Sequence, residues 1–292
     1  MFTEQNSAEN IKYLRAMRYY YSKAKKIKTL IFLISILFPI SFIIYRYFKN
    51  IEYLDLSYDN LMVSGALLWI LIVFFLERKA DKLTSIGSKI QEKFDTNIFD
   101  IPQNNGLIYS DVSDEIIYDG SKNFKGDEES LKNWYGKRKV APHYLKVLIS
   151  QRMNIIWGNE LKEKYKKVIL LFLIIIMSTS FLSSIILNLN FIDSIIFLVI
   201  PFIPLFYIGL KNYLKIYSQI NNNKNINNKI LVECENINDN TRDKCRMYQD
   251  YIYVENRLNS ILIPDFFYKN FRDDMEDKLI EINNELFKKY KS

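Results

Sequence analysis

His143 is the only histidine of the 292-residue chain, and it follows Pro142 directly. One imidazole supports neither a histidine-based zinc site nor, without orienting partners, a Ser-His-Asp relay, so His143 reads as a surface or packing residue. The eight glycines form neither GxxxxGK[ST] nor GxGxxG, which removes the common phosphate-cradling loops. Two acidic groups, Asp111, Asp114 and Glu115, and Asp127, Glu128 and Glu129, have the oxygens for Mg²⁺ or Ca²⁺, but in a polar loop they read as solvated carboxylates. Cys234 and Cys245 lack CxxC spacing and read as free thiols. No catalytic set, metal site or cofactor motif can be assembled, so the expectation is a protein that is not an enzyme.

Small polar residues inside apolar sequence form a second pattern. Ser180, Ser183, Ser184 and Asn188 fall at i, i+3, i+4 and i+8, and Asn60 with Ser64 makes a shorter stripe. Such stripes either hydrogen-bond and pack neighbouring membrane helices or line a water-filled path in an assembled oligomer. The sequence leaves both open.

The stripes belong to segments able to cross a bilayer. Thr29 to Tyr45, Asn60 to Leu76, Val168 to Ile192 and Ser194 to Leu210 contain no Asp, Glu, Lys, Arg or His. A spanning helix needs about 17 to 25 mainly apolar residues to cross roughly 30 Å of hydrocarbon. Four transmembrane helices are therefore expected at 29–48, 59–77, 168–188 and 194–210, joined in pairs by an external loop at 49–58 and an external turn at 189–193. The absence of charge inside the runs disfavours ion-coupled transport, which places ionisable groups within the membrane.

Lysine and arginine set the orientation. The N-terminal arm carries Lys12, Arg15, Arg18, Lys23, Lys25, Lys26 and Lys28 against Glu4 and Glu9, whereas the connection from Arg46 to Asp59 has two basic and three acidic residues. The positive-inside bias keeps both termini and the central segment in the cytoplasm. Topology thus explains most of the net charge of +7, and no basic motif for direct DNA or RNA binding is present. The abundance of Ile, Asn and Lys hints at an AT-rich bacterial genome, so the location expected is a bacterial inner membrane.

The remaining sequence is helical in pattern, with no convincing strand alternation. A basic, tyrosine-rich amphipathic helix covers 1–28 with Ser7 as N-cap and runs into the first span. The cytoplasmic segment 78–167 continues the second span as helix to about Phe94, loosens between Asp95 and Asn133 around a short helix near Ser113 to Tyr118, and resumes as helix from His143 into the third span. Pro201 and Pro204 should bend or unwind the fourth span. In 211–292 the polar run NNNKNINNK is either an exposed helix face or a break, followed by helices near Ile230 to Ser260 and Asp265 to Tyr290. The fold class is all-α: a polytopic membrane protein whose transmembrane helices are extended by cytoplasmic helices.

Several local sequences stand in a distinctive order: EQN at Glu4 to Asn6, LRAMRYYYSKAKKIK after it, LKNWY at Leu131 to Tyr135, ISQRMNIIW at Ile149 to Trp157, and IPDFFY at Ile263 to Tyr268. Their order around two hairpins of spans resembles the SMODS-associating four-transmembrane effector family, pore-forming proteins of bacterial antiphage systems. The resemblance implies association with nucleotidyltransferases that make cyclic oligonucleotide messengers, and a membrane breached on infection. A messenger that binds directly needs cations for phosphate and aromatic faces for bases. Near the motifs the candidates are Trp134, Tyr135, Arg138, Arg152, Tyr268 and Arg272, each of which could equally serve packing or ion pairing. The sensor could also be a partner protein, and permeation by uncharged helices requires a homo-oligomer.

Overall fold

In a computed structural model of the chain the described residues are 2, 4–49, 57–107, 111–136, 141–195, 199–265, 267 and 270–290. Among them every regular element is helical: α1 (Ala8–Lys49), α2 (Ser57–Phe99), α3 (Asp114–Lys122), α4 (His143–Ile186), the short α5 (Phe191–Ser194), α6 (Ile203–Glu235), α7 (Thr241–Tyr251) and α8 (Arg272–Tyr290). The chain divides into two compact units, one made of residues 1–25, 81–163 and 218–292, the other of 26–80 and 164–217. The first unit collects the segments expected in the cytoplasm and the second holds the four apolar runs.

The long helices follow from local sequence. Ser7 caps α1 by accepting from the Asn10 N–H at 3.3 Å, and no glycine interrupts the helix. Asn223 keeps the asparagine-rich part of α6 helical instead of breaking it: buried, it donates to Asn159 Oδ1 and Asn256 Oδ1, each at 2.7 Å. The single helix expected near Ile230 to Ser260 is instead two pieces. The chain turns at 236–240, with Asn240 donating its N–H to Asn238 Oδ1 at 3.0 Å, a local asparagine turn that competes with the helix. α7 then widens into a seven-residue π-helix, Ile252–Leu258.

The first unit has the large core, where Leu14 and Met17 of α1, Phe94 and Phe99 of α2, Ile117 of α3, Leu145, Leu148 and Ile149 of α4, and Tyr248 of α7 meet. Fully burying such side chains stabilises by about 1.5–3 kcal/mol each. In the second unit Ile176, Phe202 and Leu205 form a small core, and Gly209 lets α6 approach Leu173 so closely that an added Cβ would lie 2.8 Å from its Cδ2.

α4 is the one described helix long and apolar enough to cross a membrane, and only 17% of its apolar window is buried. A soluble core helix of that composition would be covered. α1 and α2 likewise expose Leu33, Leu37, Leu71 and Phe75. The fourth apolar run is not one helix: a 3₁₀ turn at Ile200–Phe202 precedes α6. Pro201 and Pro204 lack the N–H an uninterrupted α-helix would use, as anticipated.

Candidate functional site

The first unit carries a cleft of about 680 Å³. One wall is the face of α1 made by Met17, Arg18, Tyr21, Ser22 and Lys25, a helical spacing that puts all five on one side. The second is Ser130 to Trp134 and Gly136, the third Met153, Asn154, Trp157, Leu161 and Lys162 of α4. Asn256 and Arg257 of the π-helix and Ser260 to Ile263 with Asp265 close it. Positive charge, two indoles and several amides thus face one space. The arrangement suits an anion with planar apolar parts, because cations meet the charge and indoles offer stacking faces.

Its walls are the motifs singled out in the sequence. Gln5 donates to Gly136 O at 3.0 Å and accepts from the Tyr135 N–H at 3.1 Å. Asn6 Oδ1 accepts from the Asn133 N–H at 2.8 Å. These amides fix a turn in which Asn133 (φ 55°) and Gly136 (φ 79°) adopt left-handed backbone, which glycine and asparagine tolerate best. EQN therefore shapes LKNWY. Asn154 of ISQRMNIIW donates to the Tyr135 hydroxyl at 3.0 Å.

Behind the turn lies a buried ion network. Arg257, 5% exposed, pairs with Glu92 at 3.2 Å and with Asp95, while Arg246 reaches Glu92 at 2.8 Å and also pairs with Asp250. Gln249 donates to Glu92 Oε2 at 2.7 Å, and the Tyr135 hydroxyl to Asp95 Oδ1 at 2.6 Å. Burial pushes the Glu92 carboxyl above the ordinary carboxylate range, with both arginines pulling it back. Burial alone would lower Arg257, but Asp95, Tyr135 and Glu92 outweigh it and hold the guanidinium firmly charged. The network is tied to the cleft through Arg257.

The sequence candidates divide accordingly. Trp134 lines the cleft, with the Arg18 guanidinium 5.1 Å above its ring. Tyr135 does not: it is 1% exposed and packed against Phe94 and Phe99. Arg152 is buried outside the cleft, bonded to Asn283 at 3.3 Å, and burial lowers its pKa. Arg138 and Tyr268 lie outside the described residues, as do the side chains of Arg272 and Asn60. In the stripe, Ser184 Oγ meets Ser194 Oγ at 2.6 Å, Ser180 Oγ is buried with no hydrogen-bond partner among the described residues, Ser183 is half-buried, and Asn188 (φ 49°) is exposed, as is Ser64.

Sequence reading missed Arg18, Lys25, Trp157, Lys162 and Arg257 as cleft residues. For the first two the signal was present in the i, i+7 spacing along a basic helix. Arg257 gave none, since nothing local marks a lone arginine 162 residues from its carboxylate. Among the described residues no group of three or more His, Cys, Asp or Glu could hold a metal ion.

The model of the SMODS-associating 4TM effector domain matches residues 1–286. A protein of Bacillus cereus (strain VD146) named as a probable CBASS effector molecule is 35% identical over 292 residues, covering 99% of both chains. No solved structure matches. With a family model spanning nearly its whole length and a relative similar from end to end, the chain belongs to the SMODS-associating 4TM effector family.

Proposed function

We propose that this protein is a membrane effector of CBASS antiphage defence, which forms pores in or disrupts the bacterial inner membrane when a cyclic oligonucleotide binds in the cytoplasmic cleft. The observation that carries the messenger reading is the cleft itself, where Arg18, Lys25 and Lys162 share one space with Trp134 and Trp157. A cyclic oligonucleotide presents phosphodiesters and bases together, and those residue types are its complement. In this reading four spans at 29–48, 59–77, 168–188 and 194–210 anchor the second unit, both termini are cytoplasmic, and permeation requires a homo-oligomer. The family and the Bacillus cereus relative support the defence role.

Reconstituted protein in dye-loaded liposomes tests it. Leakage is expected on adding the cognate cyclic oligonucleotide and not otherwise; sealed liposomes under every messenger and every assembly state would sink the reading. One observation favours a second reading, a membrane-anchored scaffold whose cytoplasmic unit recruits a nucleotidyltransferase-linked partner. The Ser184 to Ser194 hydrogen bond spends part of the polar stripe on packing.

A further inference from the structure

We infer that Lys25 and Asp265 form a phosphate subsite of the cleft in which Asp265 stands in for a phosphate oxygen and yields to an arriving phosphate. The inference rests on the reading of the cleft as an anion site and adds how that site is regulated. Lys25 Nζ lies 2.6 Å from Asp265 Oδ1, and both residues line the cleft. Their exposure differs in the direction exchange requires. The Lys25 side chain is 18% exposed and built into the α1 wall, whereas Asp265 is 51% exposed on the connection between the π-helix and α8. Releasing Asp265 returns a carboxylate to water at little desolvation cost, while Lys25 stays in place to receive the phosphate.

The contrast with Arg257 identifies this pair as the exchangeable one. Arg257 is held by Glu92 and Asp95, whose side chains are 1% and 0% exposed, so neither acid can leave without an uncompensated buried charge. Burial is the main influence on the Lys25 ammonium and lowers its pKa, Asp265 raises it, and Arg18 two turns earlier lowers it again. Arg18 and Lys25 thus concentrate positive charge on one face of α1, and the Asp265 carboxylate answers it. A phosphodiester or phosphoryl group brings the same charge with more acceptor oxygens than a carboxylate, which suits the three donors of an ammonium.

A phosphate could come from a soluble messenger or from a lipid headgroup, since Lys25 precedes the first apolar run by four residues. Calorimetric titration of the full chain in phosphatidylcholine nanodiscs with inorganic pyrophosphate tests the subsite. Asp265→Asn removes a like charge and should tighten the dissociation constant by about tenfold, with Asp265→Ser as a second carboxylate removal. Lys25→Gln should weaken it by about tenfold, and Lys25→Arg should retain most of it. Unchanged or weaker binding in both Asp265 variants, or no binding in any variant, overturns the inference. Adding phosphatidylglycerol distinguishes the sources: suppressed pyrophosphate binding supports the subsite with headgroups as its occupant, and unsuppressed binding supports it with the messenger. Titration with cyclic oligonucleotides separates the two readings, because their failure to bind would remove the messenger while leaving the pyrophosphate result standing.

Discussion

Arg257 shows how much one side chain can depend on residues far away in sequence. Replacing it with Met leaves Asp95 buried without an arginine among the described residues and Glu92 with Arg246 alone, and breaking a buried ion pair in this way costs about 3–5 kcal/mol. Urea denaturation of the Arg257→Met protein should show a loss of that size. Cys234 and Cys245 give a second prediction at this scale. Burial pushes both thiols up to about 12. The thiols of the unfolded chain titrate near 9. Between pH 9 and 12 the unfolded chain therefore loses protons the native protein keeps, and stability falls as pH rises, by about 1.4 kcal/mol per pH unit per thiol. Melting temperature should drop between pH 9 and 10.5, and the Cys234→Ser, Cys245→Ser double variant should drop less. At pH 8 a thiol reagent should modify neither cysteine until the protein is denatured. The sequence allowed the free thiols to be read, but not the ion network. Glu92 and Asp95 look like the solvated charges of an amphipathic helix, and only distant packing makes them interior.

At the scale of elements, close approach decides which helices hold the cleft. Gly120 of α3 sits against α1, where an added Cβ would lie 2.6 Å from Tyr20 Cε2 and 3.1 Å from the Ala16 backbone. The ring can turn, but the backbone cannot move without shifting α1. Gly120→Ala should therefore cost about 1–3 kcal/mol by overpacking, measurable by thermal or urea unfolding. At Gly158 in α4 a Cβ would meet nothing within 4 Å, so Gly158→Ala is the contrasting control and should be neutral or stabilising by up to about 1 kcal/mol. The same distinction explains what the sequence revealed about elements. The continuity of α1 and α4, the short α3 and the broken fourth run follow from caps, prolines and long helix-permissive runs, all local. The π-helix could not be read this way, because it depends on a distant partner, Arg257 reaching toward Asp95. EQN was legible as a motif, but its work, holding the Asn133 to Gly136 turn from 127 or more residues away, was not.

For the whole molecule the polar stripe runs from α4 into the turn after it, where Asn188 lies past the helix end with φ 49°, and its members can be separated. Ser184 is engaged by Ser194, so replacing it removes a packing bond; Ser180 has no such partner among the described residues, and Asn188 is exposed. If the stripe only packs helices within one chain, Ser180→Leu and Asn188→Leu should leave the leakage of the proposed pore intact, because neither removes a side-chain hydrogen bond found among the described residues. If the stripe lines a path between chains, the same two changes dry it. The pore reading predicts that the Ser180→Leu, Asn188→Leu double variant inserts, assembles and binds messenger as the native protein does, yet loses liposome leakage by tenfold or more. Binding and cross-linked oligomer size serve as internal controls, since a scaffold would retain both and have no leakage to lose. A double variant that leaks at the native rate would remove the stripe from the conduction path and leave α4 as an anchor.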